Sequence, residues 1–321
     1  MALFAAPQFA RDGGGNSFKI EVMVEKWRCF FYFFFLSMVV LATQITSRVV
    51  APILAAGAPE GTPIERLGCG PFNRGNSSFG FGYGDGFPIE QSHLVEAFGY
   101  GNTCTAWDYT PAREIIAMYF PALEYSIVIY LVFNYITDML TYQRGSLPDW
   151  YWNASKVLFP LAIFLAIQFR MIFVCIAYEN IKTHTAAFLG FQFTLVIIAI
   201  MNSFYVILTG QSYPEMNMSS KVVGLVSKVY LVLNMIISAV KIWATAYAVA
   251  TATVPDLLKT DVFPGMKWSK LIDNLWLLFN VLLPLGISYI RMKSEEPLVL
   301  EITMPKHGYE GASKEEQSRI I

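Results

Sequence analysis

The chain has 321 residues, 55% of them hydrophobic and 15% charged, with 23 Lys and Arg against 24 Asp and Glu and a formal net charge of -1. A mean hydropathy of +0.45 is too apolar for a water-soluble domain of this length. The even charge balance gives no basic surface for nucleic acid, and an integral membrane protein is expected.

The first predicted element is a charged N-terminal tail, 1–27, which carries Arg11, Lys19 and Lys26. It leads into an apolar stretch, 28–52, headed by the aromatic run from Cys29 to Leu36. This stretch starts too late for a cleaved signal peptide and reads as a retained signal anchor. The tail lacks the Arg-rich, acid-poor character of a mitochondrial presequence, so entry into the secretory pathway is expected.

A long loop, 53–112, follows and is rich in Gly and aromatics, as in the run Phe79 to Phe87. Of the 4 cysteines, only Cys69 and Cys104 lie outside the apolar stretches, and both fall in this loop. In an oxidising compartment they form a disulfide that closes about 35 residues. Asn76, followed by Ser77 and Ser78, is a glycosylation sequon in the same loop.

Five further apolar stretches come in close succession at 113–137, 156–178, 184–210, 222–252 and 269–292. Each reaches the roughly 20 residues that cross a hydrocarbon core about 30 Å thick. Lipid offers no partner to backbone N–H and C=O groups, so all six crossings are predicted as helices. The expected fold class is an all-α membrane protein, a six-transmembrane-helix bundle over 28–293 with a disulfide-closed lumenal loop between helices 1 and 2. The charged tail 294–321 is expected to be solvated and partly disordered. Lys and Arg flank both chain ends (Lys26 and Arg28, then Arg291 and Lys293), which puts the N- and C-termini in the cytosol and loop 53–112 in the lumen.

Ionisable residues at membrane depth are costly and face the bundle interior or a cavity. Counting about 1.5 Å per residue from the span ends places Glu124, Arg170 and Lys241 at similar depth in the lumenal half. His184, Glu179, Asp273 and Asn274 gather above them, with Gln192 two turns below His184 on the same helix face. The inner half offers mainly Asn202, Asn280, Lys228 and Asp138. That asymmetry predicts a polar cavity opening toward the lumenal leaflet. Each residue also has a plainer role: Glu124 and Arg170 as a structural ion pair, Lys241 snorkelling to headgroups, His184 as a helix-start residue.

Several chemistries are set aside. The 3 histidines lie in separate regions with no zinc-ligand spacing, so neither a metal nor a cofactor is expected. There is no phosphate-binding loop and no nucleophile elbow.

Three short segments then stand out: His184, Ala187 and Phe188 opening the fourth span, Trp276 through Arg291 in the sixth, and Cys104 through Pro111 before the second. With the layout of short tail, one span, long loop and five close spans, the chain resembles the six-span Frag/DRAM/Sfk membrane proteins. That group includes a post-GPI-attachment-to-proteins factor and the N-terminal region of a yeast cell-wall protein. In one departure, many members carry a Glu beside an aromatic in the sixth span, where here Leu275 precedes Trp276.

The resemblance implies lipid chemistry at the lumenal leaflet, as acyl-chain remodelling of GPI-anchored proteins in the Golgi or endoplasmic reticulum. Membrane lipids, GPI or phospholipid headgroups, are then the partners. Arg170 and Lys241 would hold a phosphate, with Glu124 as counter-ion, Gln192 and Asp273 beside them, and His184 as the candidate catalytic acid or base. Other members of the group act as regulators. The alternative is therefore a non-enzymatic regulator or an accessory subunit of a larger membrane complex, engaged through the C-terminal tail.

Overall fold

The computed structural model describes residues 9–10, 17–50, 93–100, 112–175, 177–210, 212, 218–292 and 299–305. Cys69, Cys104 and Asn76 lie outside them. Within these residues, six helices are long and apolar enough to cross a membrane: Val24–Thr43, Arg113–Gln143, Asp149–Val174, Asn180–Thr209, Ser220–Thr251 and Trp268–Met292.

Helix α1, Val24–Val40, runs on into a π-helical stretch, Leu41–Val50. A short helix α2, His93–Phe98, precedes α3, Ala112–Gln143. Gly145 at φ +74° turns the chain, and Pro148 at the N-cap with Asp149 in the first turn starts α4, Asp149–Gln168. A single turn, α5, Met171–Val174, completes the third span. Helix α6, Ala177–Thr209, contains a break at Asn180, where φ is -152°. Helix α7, Ser220–Thr251, is capped by the Ser219 hydroxyl, which accepts from the Val222 N–H at 3.4 Å. It ends on Ala252 in the left-handed region. After α8, Asp256–Lys259, and a small hairpin of β3, Asp261–Phe263, and β4, Met266–Lys267, the sixth span comprises α9, Trp268–Leu277, a π-helical segment, Leu278–Leu282, and α10, Leu283–Met292.

The fourth span is the central one: 72% of its apolar window is buried, against 22–44% for the others. It packs against α4 on one side and α7 on the other, while α1 lies between α3 and α10. Lipid tails are as apolar as Leu, so such a bundle is held by close packing and interhelical hydrogen bonds. The core is aromatic-rich, with Phe169 stacked on Phe191 at 4.3 Å between ring centroids. Outward-facing Phe33, Val157, Phe164, Leu225 and Ile236 are exposed, as lipid-facing positions should be.

The π-helical segment of the sixth span is pinned from both sides. A π turn displaces backbone carbonyls from the regular ladder, and in lipid these need other donors. Tyr32 Oη on α1 donates to the Val281 carbonyl at 2.8 Å, and Tyr230 Oη on α7 donates to the Phe279 carbonyl at 2.6 Å. Asn234 Nδ2 adds a bond to the Phe279 carbonyl at 3.3 Å. Tyr32→Phe keeps the fully buried ring and removes only the hydroxyl. Thermal or denaturant unfolding in detergent should register a loss of about 1–3 kcal/mol, the cost of an orphaned buried acceptor.

The chain ends differ from the sequence expectation. Strand β1, Phe9–Ala10, pairs with β2, Ser17–Met23, which pairs antiparallel with β5, Val299–Pro305, from Ser17 opposite Pro305 to Met23 opposite Val299. Residues 299–305, inside the expected C-terminal tail, are therefore a strand. The sequence alternates from Ser17 to Met23, with apolar Phe18, Ile20 and Val22 separated by charged Lys19 and Glu21, the period-2 pattern of a strand. This sheet holds both ends of the bundle on one side. It also moves the start of the first helix to Val24, four residues before the expected boundary at 28.

Candidate functional site

On the side of the bundle facing away from the termini, the polar residues singled out in the sequence are distributed over separate contacts. Glu124 on α3 pairs with Arg170 after α4, with Arg170 Nε donating to Oε2 at 3.2 Å and Nη2 to Oε1. Glu124 is buried, whereas 55% of the Arg170 side chain is exposed. Lys241 on α7 pairs with Asp273 on α9, and here both side chains are largely buried, at 6% and 16%. Gln192 Nε2 donates to Thr245 Oγ1 at 2.9 Å, and Thr245 donates to the Lys241 carbonyl at 2.8 Å. His184 is buried, with Nδ1 3.1 Å from the Cys175 carbonyl, so it fastens α6 to the end of the third span.

The two basic residues thus belong to two different carboxylates. The structure brings Lys241 to Asp273, and Glu124 to Arg170, without making one shared basic pocket. Lys241 also sits between rings, its Nζ 5.5 Å from the Phe188 centroid and 6.0 Å from that of Phe98. Phe98 reaches this place because α2 rests on the ends of α6 and α7, where the Val254 N–H donates to the Ala97 carbonyl at 3.0 Å.

A cavity of about 540 Å³ opens beside this pair, between the first, second, third, fourth and sixth spans. Its walls are Phe33, Leu36, Val40, Leu123, Phe191 and Leu282 among others, and Asp273 is its one ionisable lining residue among the described residues. The expected polar cavity is therefore an apolar one with a single charged corner. The physical reason is that the polar side chains on neighbouring helices satisfy one another in pairs, leaving the gap to aromatic and aliphatic groups. Trp276 also lines it; it is buried, packs edge-on to Phe188 at 5.7 Å, and its Nε1–H meets no acceptor among the described residues. His184, Arg170, Glu124 and Gln192 do not line this cavity.

The terminal side of the bundle is richer in buried polar groups than expected. Arg28, fully buried, donates from Nη1 to Asn134 Oδ1 at 3.0 Å and Asn202 Oδ1 at 3.2 Å, and its Nη2 pairs with Glu25 Oε2 at 2.6 Å. Arg291 donates to Asn202 Oδ1 at 2.7 Å and to Glu25 Oε1 at 3.3 Å, with its guanidinium 3.7 Å from the Tyr205 ring centroid. Asp138, buried and bonded by Ser155 Oγ at 2.6 Å, lies within electrostatic reach of both arginines. Nothing in the sequence alone singles out Glu25, and there Arg28 and Arg291 serve only as topology markers. The available signal was their spacing: with the helix starting at Val24, Arg28 falls a full turn inside it.

Among the described residues no group of three or more His, Cys, Asp or Glu could hold a metal ion, and Cys29 and Cys175 are free thiols. What the fold defines is a six-helix, multi-pass membrane protein with an apolar, sideways-opening cavity in one half. No family model, curated protein or solved structure matches the chain.

Proposed function

We propose that this chain is a multi-pass membrane protein of lipid metabolism that assists GPI-anchor lipid remodelling at the lumenal leaflet. The observation that carries the reading is the cavity of about 540 Å³ with Asp273 at one corner. Its size falls in the usual range for ligand sites, roughly 300–1,000 Å³. Its walls suit an acyl chain. Its corner, made of Asp273 and the Trp276 N–H, offers an acceptor to the hydroxyl and amine groups of a glycolipid head and a donor to an ester carbonyl. The resemblance to the Frag/DRAM/Sfk proteins supplies the GPI anchor as the lipid, and the secretory pathway, Golgi or endoplasmic reticulum, as the place.

On this reading the termini are cytosolic and the cavity lies in the lumenal half. The part assigned to the chain is to hold the lipid; His184, bonded into the helix packing, is not needed as an acid or base. Mass spectrometry of GPI-anchor lipids from cells lacking the protein tests the reading. Altered acyl chains that re-expression restores would support it, and unchanged anchors would overturn it.

One observation favours the second reading, a regulator or accessory subunit. Strand β5 is an edge of its sheet, ordered β1–β2–β5, and edge strands offer unpaired backbone groups to a partner.

A further inference from the structure

A second cavity, of about 520 Å³, lies on the opposite side of the sixth span and in the other half of the bundle. Among the described residues it shares no lining residue with the first. Its walls come from α7 (Val223, Val226, Val229, Leu233), from α10 (Gly286, Ile290) and from Val206 of α6. Its mid-membrane end is closed by Phe279 and Tyr230, whose rings stack at 6.0 Å with an interplanar angle of 10°. Its other end is Arg291, the one charged lining residue among the described residues.

We propose that this cleft binds one acyl chain of an anionic phospholipid from the leaflet next to the termini. Three observations converge on that occupant. The first is length: from Phe279 to Ile290 the sixth span rises about 16 Å, close to half of a hydrocarbon core about 30 Å thick. The cleft therefore spans one leaflet and stops at the membrane centre. The second is access. Leu225, Val226 and Val229 are exposed beside it on a helix that is only 22% buried in its apolar window, so the opening faces lipid and not water. Lipid chains are what surrounds it.

The third observation is charge. Helix α7 carries Lys221 and Lys228, both exposed, in its first nine residues and no Asp or Glu anywhere along Ser220–Thr251. Lys228 sits between Ser227 and Val229, both of which line the cleft. Its four-carbon stem can run along the apolar wall while the ammonium reaches the headgroup level. Arg291 at the same end is buried and paired with Glu25, so the cations that the headgroup of the bound chain meets are the two exposed lysines of α7. Anionic surfaces attract such residues by about 1 kcal/mol per Lys, which is roughly fivefold in affinity.

Gly286 gives a clean way to test the site. A Cβ built there meets nothing within 4 Å, so a side chain added at this lining position starts into open space. The full chain is placed in nanodiscs with a trace of phosphatidylserine or phosphatidylcholine bearing a diazirine on its acyl chain, irradiated, and mapped by peptide mass spectrometry. Label is expected in 223–233 and 279–291, several-fold stronger from phosphatidylserine.

Gly286→Leu should bring it to background, and Val226→Phe, filling the cleft from the other wall, should do the same. The surface double variant Lys221→Gln/Lys228→Gln should keep the label's position and lower the phosphatidylserine signal toward that of phosphatidylcholine. Equal labelling by the two lipids would overturn the proposal. So would labelling that survives both filling substitutions in folded protein, or cross-links between two copies in place of lipid label at 279–291. None of these outcomes bears on the GPI-anchor reading, which rests on the other cavity.

Discussion

Glu25→Gln is expected to cost about 3–5 kcal/mol of stability, the range for breaking a buried ion pair by removing one partner. Glu25 receives Arg28 at 2.6 Å and Arg291 at 3.3 Å, and these two side chains are 0% and 2% exposed. With Asp138 in electrostatic reach, the terminal side holds two guanidiniums and two carboxylates. Removing one carboxylate leaves an excess positive charge where neither water nor headgroups can solvate it. The damage should extend to the sheet, because Glu25 lies two residues past the end of β2 and Arg291 closes α10 ahead of β5. Unfolding in detergent measures the loss. The triple change Glu25→Leu/Arg28→Met/Arg291→Met, which removes charges of both signs, should be milder than its number of substitutions suggests. If Glu25→Gln leaves the transition unmoved, the network is not holding the bundle.

Lys241→Met alone should cost a similar amount, about 3–5 kcal/mol, by stranding the Asp273 carboxylate, which is 84% buried on the 16% side-chain exposure it retains. Asp273→Leu alone should strand Lys241 in the same way. The double variant Lys241→Met/Asp273→Leu should recover much of the loss, with a coupling energy above about 1 kcal/mol between the two sites. Function should part company with stability here. The double variant folds but lacks the charged corner of the cavity, so it is expected not to restore anchor lipids. A pair that couples in stability yet is dispensable for rescue would mean that it only joins α7 to α9.

Most of the fold was legible because lipid imposes a simple rule on the chain. The six crossings follow from stretches of apolar residues that need no knowledge of neighbours. The bounds expected for spans 4 to 6 lie within four residues of those observed. What pairs with what was harder. The similar depth of Glu124 and Arg170 on sequential spans suggests an ion pair, and the structure places them in contact. The partnership of Lys241 with Asp273 joins residues 32 apart on adjacent spans, and nothing in either span alone points to it.

The terminal-side network was hidden by a different cause. Arginines at span ends mark topology so often that Arg28 and Arg291 carried no hint of burial, and only the early start of α1 draws Arg28 inward. The π-helical segment at Leu278–Leu282 had no signature at all, since it depends on Tyr32 and Tyr230 arriving from other helices to take up its carbonyls. Both cavities are gaps between helices, which sequence periodicity does not encode.

The most direct test of the lipid-holding role is the acyl composition of GPI anchors in cells lacking the protein and rescued with Ser37→Phe. Ser37 is a small, half-buried residue on the cavity wall, so the new ring occupies the space assigned to the lipid. At expression equal to that of the unaltered protein, the variant is expected to leave the anchors in their unremodelled state. Full restoration by Ser37→Phe would contradict a role for this cavity in holding the lipid.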